Sequence, residues 1–255
     1  MGGKKGGNEC QSSLYQKTAS WQYQQGINFV KQLALTDADR CLDFGCGTGD
    51  ITAYMASLAG EVVGLDPDER RLQVARLCHP EVTFVQGRDA DVPEGPFSVV
   101  FSNYVIQWVT DHDILLVLKR LYQVLKPGGR LALQTTERLP DTIVAATALL
   151  PPSDRDAIHA DFYWRDADTL RTLGEAVGFE TLSLSRKDGM HAYDTLENFF
   201  VWWEATTHGV FAVDHIGDEQ LQRFAAEWVQ ADGSVQVVEP NFALVLSKPG
   251  GEKGA

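Results

Sequence analysis

From residue 40 onward, short apolar runs alternate with longer amphipathic stretches. The apolar runs predict buried strands over 40–44, 61–65, 82–85, 97–102 and 130–135. The stretches between and after them have helical spacing and predict helices over 49–59, 67–78, 111–125 and 141–150. Because strand and helix alternate, we expect an α/β fold with a parallel sheet covered by helices on both faces.

The pattern changes on either side of this block. Apolar residues at helical spacing predict a leading helical segment over 13–39. After residue 150 an aromatic-rich region surrounds further elements, namely helices over 166–177 and 219–229 and strands over 179–185 and 241–247. We expect the insertion before the last strand to form a helical lid over the carboxyl end of the sheet, where open α/β sheets bind ligands.

These elements predict one domain over 13–248, with its sheet core over 40–150. The lid segments are predicted over 151–178 and 188–234. The Gly- and Lys-rich ends over 1–12 and 249–255 have little to bury, so we expect disordered tails.

Composition narrows the range of partners. The chain has 22 basic and 35 acidic residues, and its formal charge of −13 would repel nucleic acid and anionic membranes. No apolar run is long enough to span a bilayer, and the four cysteines form no C-x-x-C pair, as is typical of reduced thiols in the cytoplasm. We expect a cytoplasmic monomer or homodimer that acts on a small molecule and has no nucleic-acid, membrane or metal partner.

The clearest motif is the turn Gly45-Cys46-Gly47-Thr48-Gly49, which joins the first strand to a helix. Glycines let the backbone approach a ligand closely, and the start of a helix offers unpaired N–H groups. The dinucleotide fingerprint G-x-G-x-x-G would need its third glycine where Asp50 stands, and Asp43 before the turn would repel a pyrophosphate. The motif therefore favours a ligand with a cationic amino or sulfonium group.

Two further acids follow the next strands. Asp66 can accept hydrogen bonds from both hydroxyls of a ribose, although it could instead be a helix N-cap before Pro67. Asp89, followed by Ala90, could accept a hydrogen bond from an adenine amino group, or could be an ordinary surface aspartate. Together these acids suggest an adenosine moiety.

The acid-preceded G-x-G-x-G, Asp66, Asp89 and the L-K-P-G-G run at 125–129 together resemble the class I S-adenosylmethionine (SAM)-dependent methyltransferases, in particular the group called type 11. The resemblance implies a Rossmann-like seven-stranded sheet with an antiparallel last strand. It also implies that the cofactor is SAM, which is converted to S-adenosylhomocysteine. The expected cofactor-binding residues are Asp43, Gly45, Cys46, Gly47, Thr48, Asp66, Pro67, Asp89, Ala90, Ser102 and Asn103.

The stretch after the fourth strand, 101–109, lacks the Asn/Asp-Pro-Pro-Tyr motif of enzymes that methylate DNA bases or glutamine. It resembles instead the small-molecule carboxyl methyltransferases of the juvenile hormone acid, trans-aconitate and malonyl-carrier-protein types. The likeness to the juvenile hormone acid family extends upstream over 14–22. It implies that Gln22 and Trp108 hold the substrate carboxylate, although Gln22 could be an exposed helix residue and Trp108 a core residue.

Aromatic side chains suggest an apolar substrate. The further substrate contacts expected are Tyr104, Trp164, Trp202 and Trp203, any of which could serve the core instead. The function expected is O-methylation of the carboxylate of a lipophilic acid. Two alternatives remain, namely methylation of a small amine, phenol or carbon acceptor, and a SAM-binding regulatory protein without catalysis.

Overall fold

A computed structural model describes residues 20–207 and 209–250, without the side chains of Ser20 and Asp161. The strands are β1 (Arg40–Phe44), β2 (Glu61–Asp66), β3 (Thr83–Gln86), β4 (Phe97–Asn103), β5 (Leu125–Thr136), β6 (Glu180–Arg186), β7 (Gly189–Tyr193), β8 (Val235–Glu239) and β9 (Asn241–Ser247). The helices are α1 (Ser20–Gln32), α2 (Asp50–Ala56), α3 (Glu69–Cys78), α4 (Ile114–Val124), α5 (Asp141–Thr147), α6 (Pro152–Asp161), α7 (Ala167–Val177), α8 (Leu196–Thr206) and α9 (Asp218–Trp228). The predicted tail over 1–12 lies outside the described residues, as do residues 251–255 of the tail predicted over 249–255.

Seven strands form one sheet in the order β3-β2-β1-β4-β5-β9-β6. β1 pairs in parallel with β2 and β4, and β3 and β5 continue the sheet in parallel on either side. β9 runs antiparallel to β5. The evidence is the Gly128 N–H near the start of β5, which donates to the carbonyl of Lys248, just beyond the end of β9, at 2.8 Å. The predicted class is confirmed, an α/β sheet of seven strands with helices on both faces and an antiparallel last strand. The chain order reverses between β1 and β4, which is where such sheets bind ligands.

The central strands are covered on both faces. Cys41, Val99 and Phe101 pack with side chains of α1 and α2 on one face. Leu42 and Val100 alternate with them and are equally inaccessible on the opposite face. Burial of both faces explains why these strands are continuous apolar runs in the sequence.

The segment 126–129, which lies between the predicted helix over 111–125 and the predicted strand over 130–135, belongs to β5. α4 ends at Val124, and Leu125 pairs at once with Phe97 of β4. The next β5 residue paired is Arg130, opposite Val99, so residues 126–129 form an irregularity within the strand. Gly128 has φ +76°, a conformation that glycine adopts without steric cost.

The described chain divides into two compact units. The first contains the sheet and comprises residues up to 135 together with 167–185 and 243 onward, and the second comprises 136–166 and 186–242. α7, expected in the lid, belongs to the first unit, where Gly174 leaves room for the side chain of Leu246. The lid position predicted for the insertion stays a prediction.

The second unit has its own core. It is mostly helical, as predicted, but it also contains an antiparallel pair of strands, β7 and β8, that the sequence patterns did not indicate. The aromatic block forms α8, and the indole N–H of its Trp203 donates to the Thr147 hydroxyl of α5 at 3.2 Å. The core residues include Leu139, Ile143, Ile158, Phe199, Phe200, Phe211, Phe224, Val235 and Val237.

Candidate functional site

The glycine-rich turn lies between the ends of β1 and β2. The N–H groups of Gly45 and Cys46 both donate to the carbonyl of Leu65, at 2.7 and 3.0 Å. Gly45 has φ +83°, and a Cβ there would lie 2.2 Å from Val105. Gly49 has φ +81°, and a Cβ there would lie 2.6 Å from the ring of Phe84. Packing within the protein therefore requires glycine at both ends of the turn.

Gly47, in the middle of the turn, differs from these two. Its φ is +55°, but a Cβ there would meet no atom within 4 Å among the described residues other than its chain neighbours. Its N–H donates to Oδ2 of Asp66 at 2.9 Å. The space beside Gly47 is open, so a ligand can approach the backbone there.

Asp43 is the buried acid before the turn. Its Oδ2 accepts a hydrogen bond from the Thr52 hydroxyl at 2.7 Å. Burial raises the pKa of Asp43 to about 7; the Thr52 hydrogen bond opposes this rise, and the Asp66 carboxylate adds to it. A cation near Asp43 would favour its ionised form, which agrees with the predicted cationic ligand.

Cys41 lies within β1, and Cys46 lies in the glycine-rich turn. Both side chains are buried free thiols. Burial raises the pKa of the Cys46 thiol far above its usual range. Cys46 therefore contributes packing rather than a nucleophile.

Asp66 lies at the carboxyl end of β2, buried beside the turn. Its Oδ2 accepts from Gly47 and its Oδ1 from the N–H of Asp68, both at 2.9 Å. The N-cap of α3 is Asp68, which accepts from the Arg70 N–H at 2.9 Å, so the N-cap alternative for Asp66 is wrong. A carboxylate has about four acceptor positions, which leaves capacity for ribose hydroxyls. Pro67, the next residue, is exposed.

Asp89 follows β3 and begins a single 3₁₀ turn. Asp91, not Asp89, caps this turn by accepting from the Arg88 N–H at 2.9 Å. The half-buried Asp89 carboxylate makes no hydrogen bond to another described residue, and Ala90 beside it is exposed. Asp89 can therefore accept a hydrogen bond from a ligand.

The end of β4 has two buried polar atoms without partners in the described part of the chain, namely Ser102 Oγ and Asn103 Oδ1. Buried polar atoms are rarely left unpaired, so these two suggest a missing ligand or solvent partner. Together with the open space at Gly47 and the acceptors Asp66 and Asp89, they fit a ligand with a cationic end and an adenosine end. Thr48, at the other side of the turn, donates its hydroxyl to Asp50 at 2.8 Å.

α1 brings Gln22 to this end of the sheet. A Cβ on Gly26 would lie 2.4 Å from Ile51 and 3.0 Å from Asn103, so glycine allows α1 to approach β4 closely. The Asn103 amide lies 3.5 Å from the backbone carbonyl of Gln22, whose side chain is half-buried. The N-terminal helix thus borders the predicted acceptor site.

Trp108 lies in a 3₁₀ turn after β4. Its side chain is 38% exposed, which excludes the alternative of a core residue. No hydrogen bond joins the side chains of Gln22 and Trp108 in the described structure, so their joint binding of a carboxylate stays a prediction.

Tyr104, the first residue after β4, has φ +56°, which is uncommon for a residue with a Cβ. Its hydroxyl lies 3.3 Å from Oε1 of Gln25 on α1. The amide of Gln134 in β5 donates to the same Gln25 oxygen at 3.0 Å. The motifs did not indicate Gln25 or Gln134, because these glutamines belong to no sequence motif and become neighbours only in the folded chain.

Gln107 was also missed. It is buried, its amide donates to the carbonyl of Tyr104 at 3.0 Å, and its Oε1 accepts from the Thr135 hydroxyl at 2.8 Å. Gln107 therefore fixes the loop that carries Tyr104 and Trp108 to the end of β5.

The aromatic candidates of the second unit have different surroundings. Trp202 and Trp203 are almost fully buried in that unit's core. Trp164 is half-buried and stacks on Phe162 at 5.1 Å, and its indole N–H makes no hydrogen bond to any described residue. Of the three, Trp164 has the surroundings best suited to contact a ligand, and their roles in substrate binding stay predictions.

Comparison with known proteins agrees with this arrangement. A family model described as a methyltransferase domain matches residues 41–129. A trans-aconitate 2-methyltransferase from Rhizobium rhizogenes is 28% identical over 246 residues, covering 87% of this chain and 92% of that protein. The protein of the same name from Afipia carboxidovorans is 27% identical, covering 90% of this chain and 100% of that protein. The chain is therefore similar to methyltransferases, both in this domain and over most of its length.

The fold of this chain is also found among solved structures. The YcgJ protein of Bacillus subtilis superposes with a TM-score of 0.65 at 16% identity and covers 89% of this chain and 100% of that one. A putative methyltransferase from Bacillus halodurans has a TM-score of 0.62 at 19% identity, covering 88% of this chain and 98% of that one. At these identities the likeness concerns the fold alone.

Two further findings concern residues 20–207 and 209–250. No helix there is long and apolar enough to cross a membrane. No group of three or more His, Cys, Asp or Glu side chains in this part is arranged to hold a metal ion.

Proposed function

We propose that SAM binds at the carboxyl ends of β1 to β4 and that its methyl group is transferred to the carboxylate of a small lipophilic acid. The cationic amino-acid end would lie by Asp43 and the open backbone at Gly47. Asp66 would accept the ribose hydroxyls, and Asp89 the adenine amino group. The other proposed cofactor contacts are Gly45, Cys46, Thr48, Pro67, Ala90, Ser102 and Asn103.

When bound, SAM supplies a methyl group on a positively charged sulfur, with a neutral thioether as the leaving group. A carboxylate is ionised at neutral pH, so the protein needs no general base to activate it. The task left to the side chains of this chain is to orient the acid towards the methyl group.

The observation that carries the proposal is the neutral character of the acceptor side. Amides and aromatic rings make the described contacts between α1 and the ends of β4 and β5, and no charged side chain takes part in them. The negative charge of a carboxylate is lost as it is methylated. A cationic clamp would therefore stabilise the ground state more than the transition state, whereas neutral donors avoid much of this penalty.

The same observation favours a monocarboxylic acid over a polyacid, although two similar proteins carry the name trans-aconitate 2-methyltransferase. A polyacid would need several cationic side chains. Arg171 is paired with Glu175 at 3.1 Å, and Arg186 with Glu137 at 2.8 Å. The guanidinium of Arg165 donates to the carbonyl of Tyr163 at 3.1 Å.

The test is methyl ester formation from SAM with a panel of aliphatic and aromatic monoacids, trans-aconitate, and matched amines and phenols. We expect esters of monoacids. We also expect kcat/KM to fall about 10- to 100-fold in Gln22→Ala and Trp108→Ala, as for the loss of a hydrogen bond to a charged group. The Kd for SAM should stay within about twofold, because neither residue is a proposed cofactor contact. Unchanged turnover in both variants would show that the acceptor lies elsewhere.

One contact favours a second candidate, an acceptor that itself donates a hydrogen bond, such as an amine or phenol. The Tyr104 hydroxyl donates to Gln25, and a hydroxyl oxygen can also accept a hydrogen bond. Methylated amines or phenols in the same panel, without esters, would establish this alternative. The cytoplasmic location, the monomeric or homodimeric state and the absence of nucleic-acid and membrane partners stay predictions.

A further inference from the structure

One amide oxygen connects three elements at the acceptor side of the sheet. Oε1 of Gln25 on α1 is the acceptor for the Tyr104 hydroxyl after β4 and for the Gln134 amide of β5. A carbonyl oxygen has two lone pairs, so it can accept both protons at once. Gln25 lies three residues after Gln22, about one helical turn along α1. Its position therefore affects the helix that presents Gln22.

Tyr104 is held in a disfavoured conformation by several contacts. Its backbone N–H donates to the carbonyl of Gln134 at 2.8 Å, and its carbonyl accepts from Gln107 at 3.0 Å. The edge of its ring contacts Trp21, with the ring centroids 5.4 Å apart. Left-handed backbone at a residue with a Cβ persists where the surroundings fix it, and it is concentrated at functional sites. The result is a phenol directed towards α1 at the end of β4.

The two hydrogen bonds to Gln25 differ in length. The bond from Gln134 is 3.0 Å, which is ordinary for N–H···O, whereas the bond from Tyr104 is 3.3 Å, longer than the roughly 2.7–2.8 Å usual for O–H···O. If the Tyr104 hydroxyl turned to another acceptor, Gln25 would keep its bond from Gln134. The hydroxyl is thus the more easily redirected of the two donors.

We propose that Gln25 is a positioning residue that keeps the Tyr104 hydroxyl beside the methyl acceptor and releases it when the acceptor binds. This inference rests on the proposed function, in which a carboxylate oxygen takes the place of Gln25 as hydrogen-bond acceptor. The proton stays on the Tyr104 oxygen throughout, and only its hydrogen-bond partner changes. Tyr104 then joins Gln22 and Trp108 as a third neutral donor to the acid.

The test compares Gln25→Leu, Tyr104→Phe, the double variant and Gln24→Leu. Gln24 is the exposed neighbour of Gln25 on the same helix, so it provides a matched control. We expect Tyr104→Phe to raise the acceptor KM about tenfold and to change kcat less, as for one lost hydrogen bond to the acid. We expect Gln25→Leu to raise the KM by no more than this, because the Tyr104 hydroxyl remains but is no longer held in place before the acceptor binds. The double variant should be no worse than Tyr104→Phe, because Gln25 acts through the Tyr104 hydroxyl. Gln24→Leu should match the wild type, and all four should bind SAM within about twofold of it.

A merely structural role for Gln25 gives a different result. The effects of Gln25→Leu and Tyr104→Phe would then add in the double variant, or SAM binding would weaken with acceptor binding, and either outcome overturns the proposal. So does an unchanged KM in Gln25→Leu.

If the methyl acceptor is not a carboxylate, the wild-type protein will form no ester with any acid of the panel, and this result does not depend on the variants. The same variants are in that case compared on the acceptor that is methylated. A non-additive rise in its KM supports the coupling of Gln25 to Tyr104, and an additive rise overturns it.

Discussion

At the residue scale, the two buried acids of the cofactor site have different tasks. Asp66 has its carboxylate oxygens held by two backbone N–H groups, which orient it at the end of β2. Asp43 has a single hydroxyl donor, from Thr52, and a pKa of about 7 because of its burial. Between pH 4 and 7 the folded protein without ligand therefore holds a proton on Asp43 that the unfolded chain has released, so the free energy of unfolding falls as pH rises through this range.

The raised pKa of Asp43 predicts the pH dependence of SAM binding. A cationic ligand prefers the ionised acid, so the affinity should rise with pH up to about 7, by at most about tenfold per pH unit. Calorimetry between pH 5.5 and 7.0 measures this slope. Asp43→Asn keeps every other titrating group. It should bind SAM more weakly, and its SAM affinity should lack the rise with pH that is due to Asp43. Equal slopes in both proteins would exclude Asp43 as the group responsible.

Alanine substitutions at Gly47 and Gly45 should differ in what they impair, SAM binding for Gly47→Ala and stability for Gly45→Ala. Gly47→Ala should fold with a cost of about 1–2 kcal/mol, because its Cβ has space but its φ is left-handed. It should bind SAM at least about tenfold more weakly, since a methyl group would occupy the space proposed for the cofactor. Gly45→Ala should instead lose more stability than Gly47→Ala, because its Cβ collides with Val105. Urea unfolding and SAM titration of both variants distinguish the two effects, and normal SAM binding by Gly47→Ala would refute the proposed position of the cofactor.

At the element scale, one lysine joins α4, β5 and β9. Lys248 follows β9, and its ammonium donates to the carbonyl of Tyr122 at 3.0 Å and to that of Leu125 at 2.8 Å. It also lies 4.8 Å from the centre of the Tyr122 ring. Carbonyls at the end of a helix lack partners within the helix, and a cation there is favourable. This contact lets α4 pass into β5 without an intervening loop.

Replacement of Lys248 tests this junction. Lys248→Met keeps the apolar stem and removes the donor, and should lower the free energy of unfolding by about 1–3 kcal/mol. Lys119→Met, at an exposed position of α4, is the control and should change it by less than about 0.5 kcal/mol. Chemical denaturation measures both, and equal effects would show that the capping contact contributes nothing of its own.

At the scale of the whole molecule, the proposed functions are distributed between two compact units. All the proposed cofactor contacts, together with Gln22, Tyr104 and Trp108, belong to the first unit. Trp164, Trp202 and Trp203 belong to the second. The second unit has an aromatic core of its own, so its stability can be changed without altering a proposed cofactor contact.

The variant Trp203→Ala tests this separation. Trp203 is almost fully buried, so its truncation should destabilise the second unit by about 3–5 kcal/mol. Hydrogen exchange should show lower protection of α5 and α8, while the Kd for SAM stays within about twofold. A large loss of SAM affinity would contradict the assignment of the cofactor to the first unit.

Local patterns predicted much of the sheet unit. Apart from β5, the strands of the sheet and the helices α2 to α4 lie close to their predicted ranges, because periods of 2 and 3.6 residues reflect which faces are buried. β5 is longer than predicted and begins at Leu125 rather than at residue 130. The pattern did not separate strand from helix in the aromatic region, where apolar residues occupy most positions around α8. It also missed β7 and β8, because β7 has the sequence Gly-Met-His-Ala-Tyr, without a clear apolar alternation.

The sequence by itself determined the class of fold, the likeness to methyltransferases and the acids around the glycine-rich turn, because these depend on local spacing along the chain. Only the tertiary structure decided that Gln25, Tyr104 and Gln134 share one oxygen, since these contacts join residues 79 and 109 positions apart. It also showed that Trp203 belongs to a core, whereas Trp108 is partly exposed. The local sequence around a glutamine or a tryptophan does not show whether the side chain lies in a core or in a binding site. Only its neighbours in the folded structure distinguish the two.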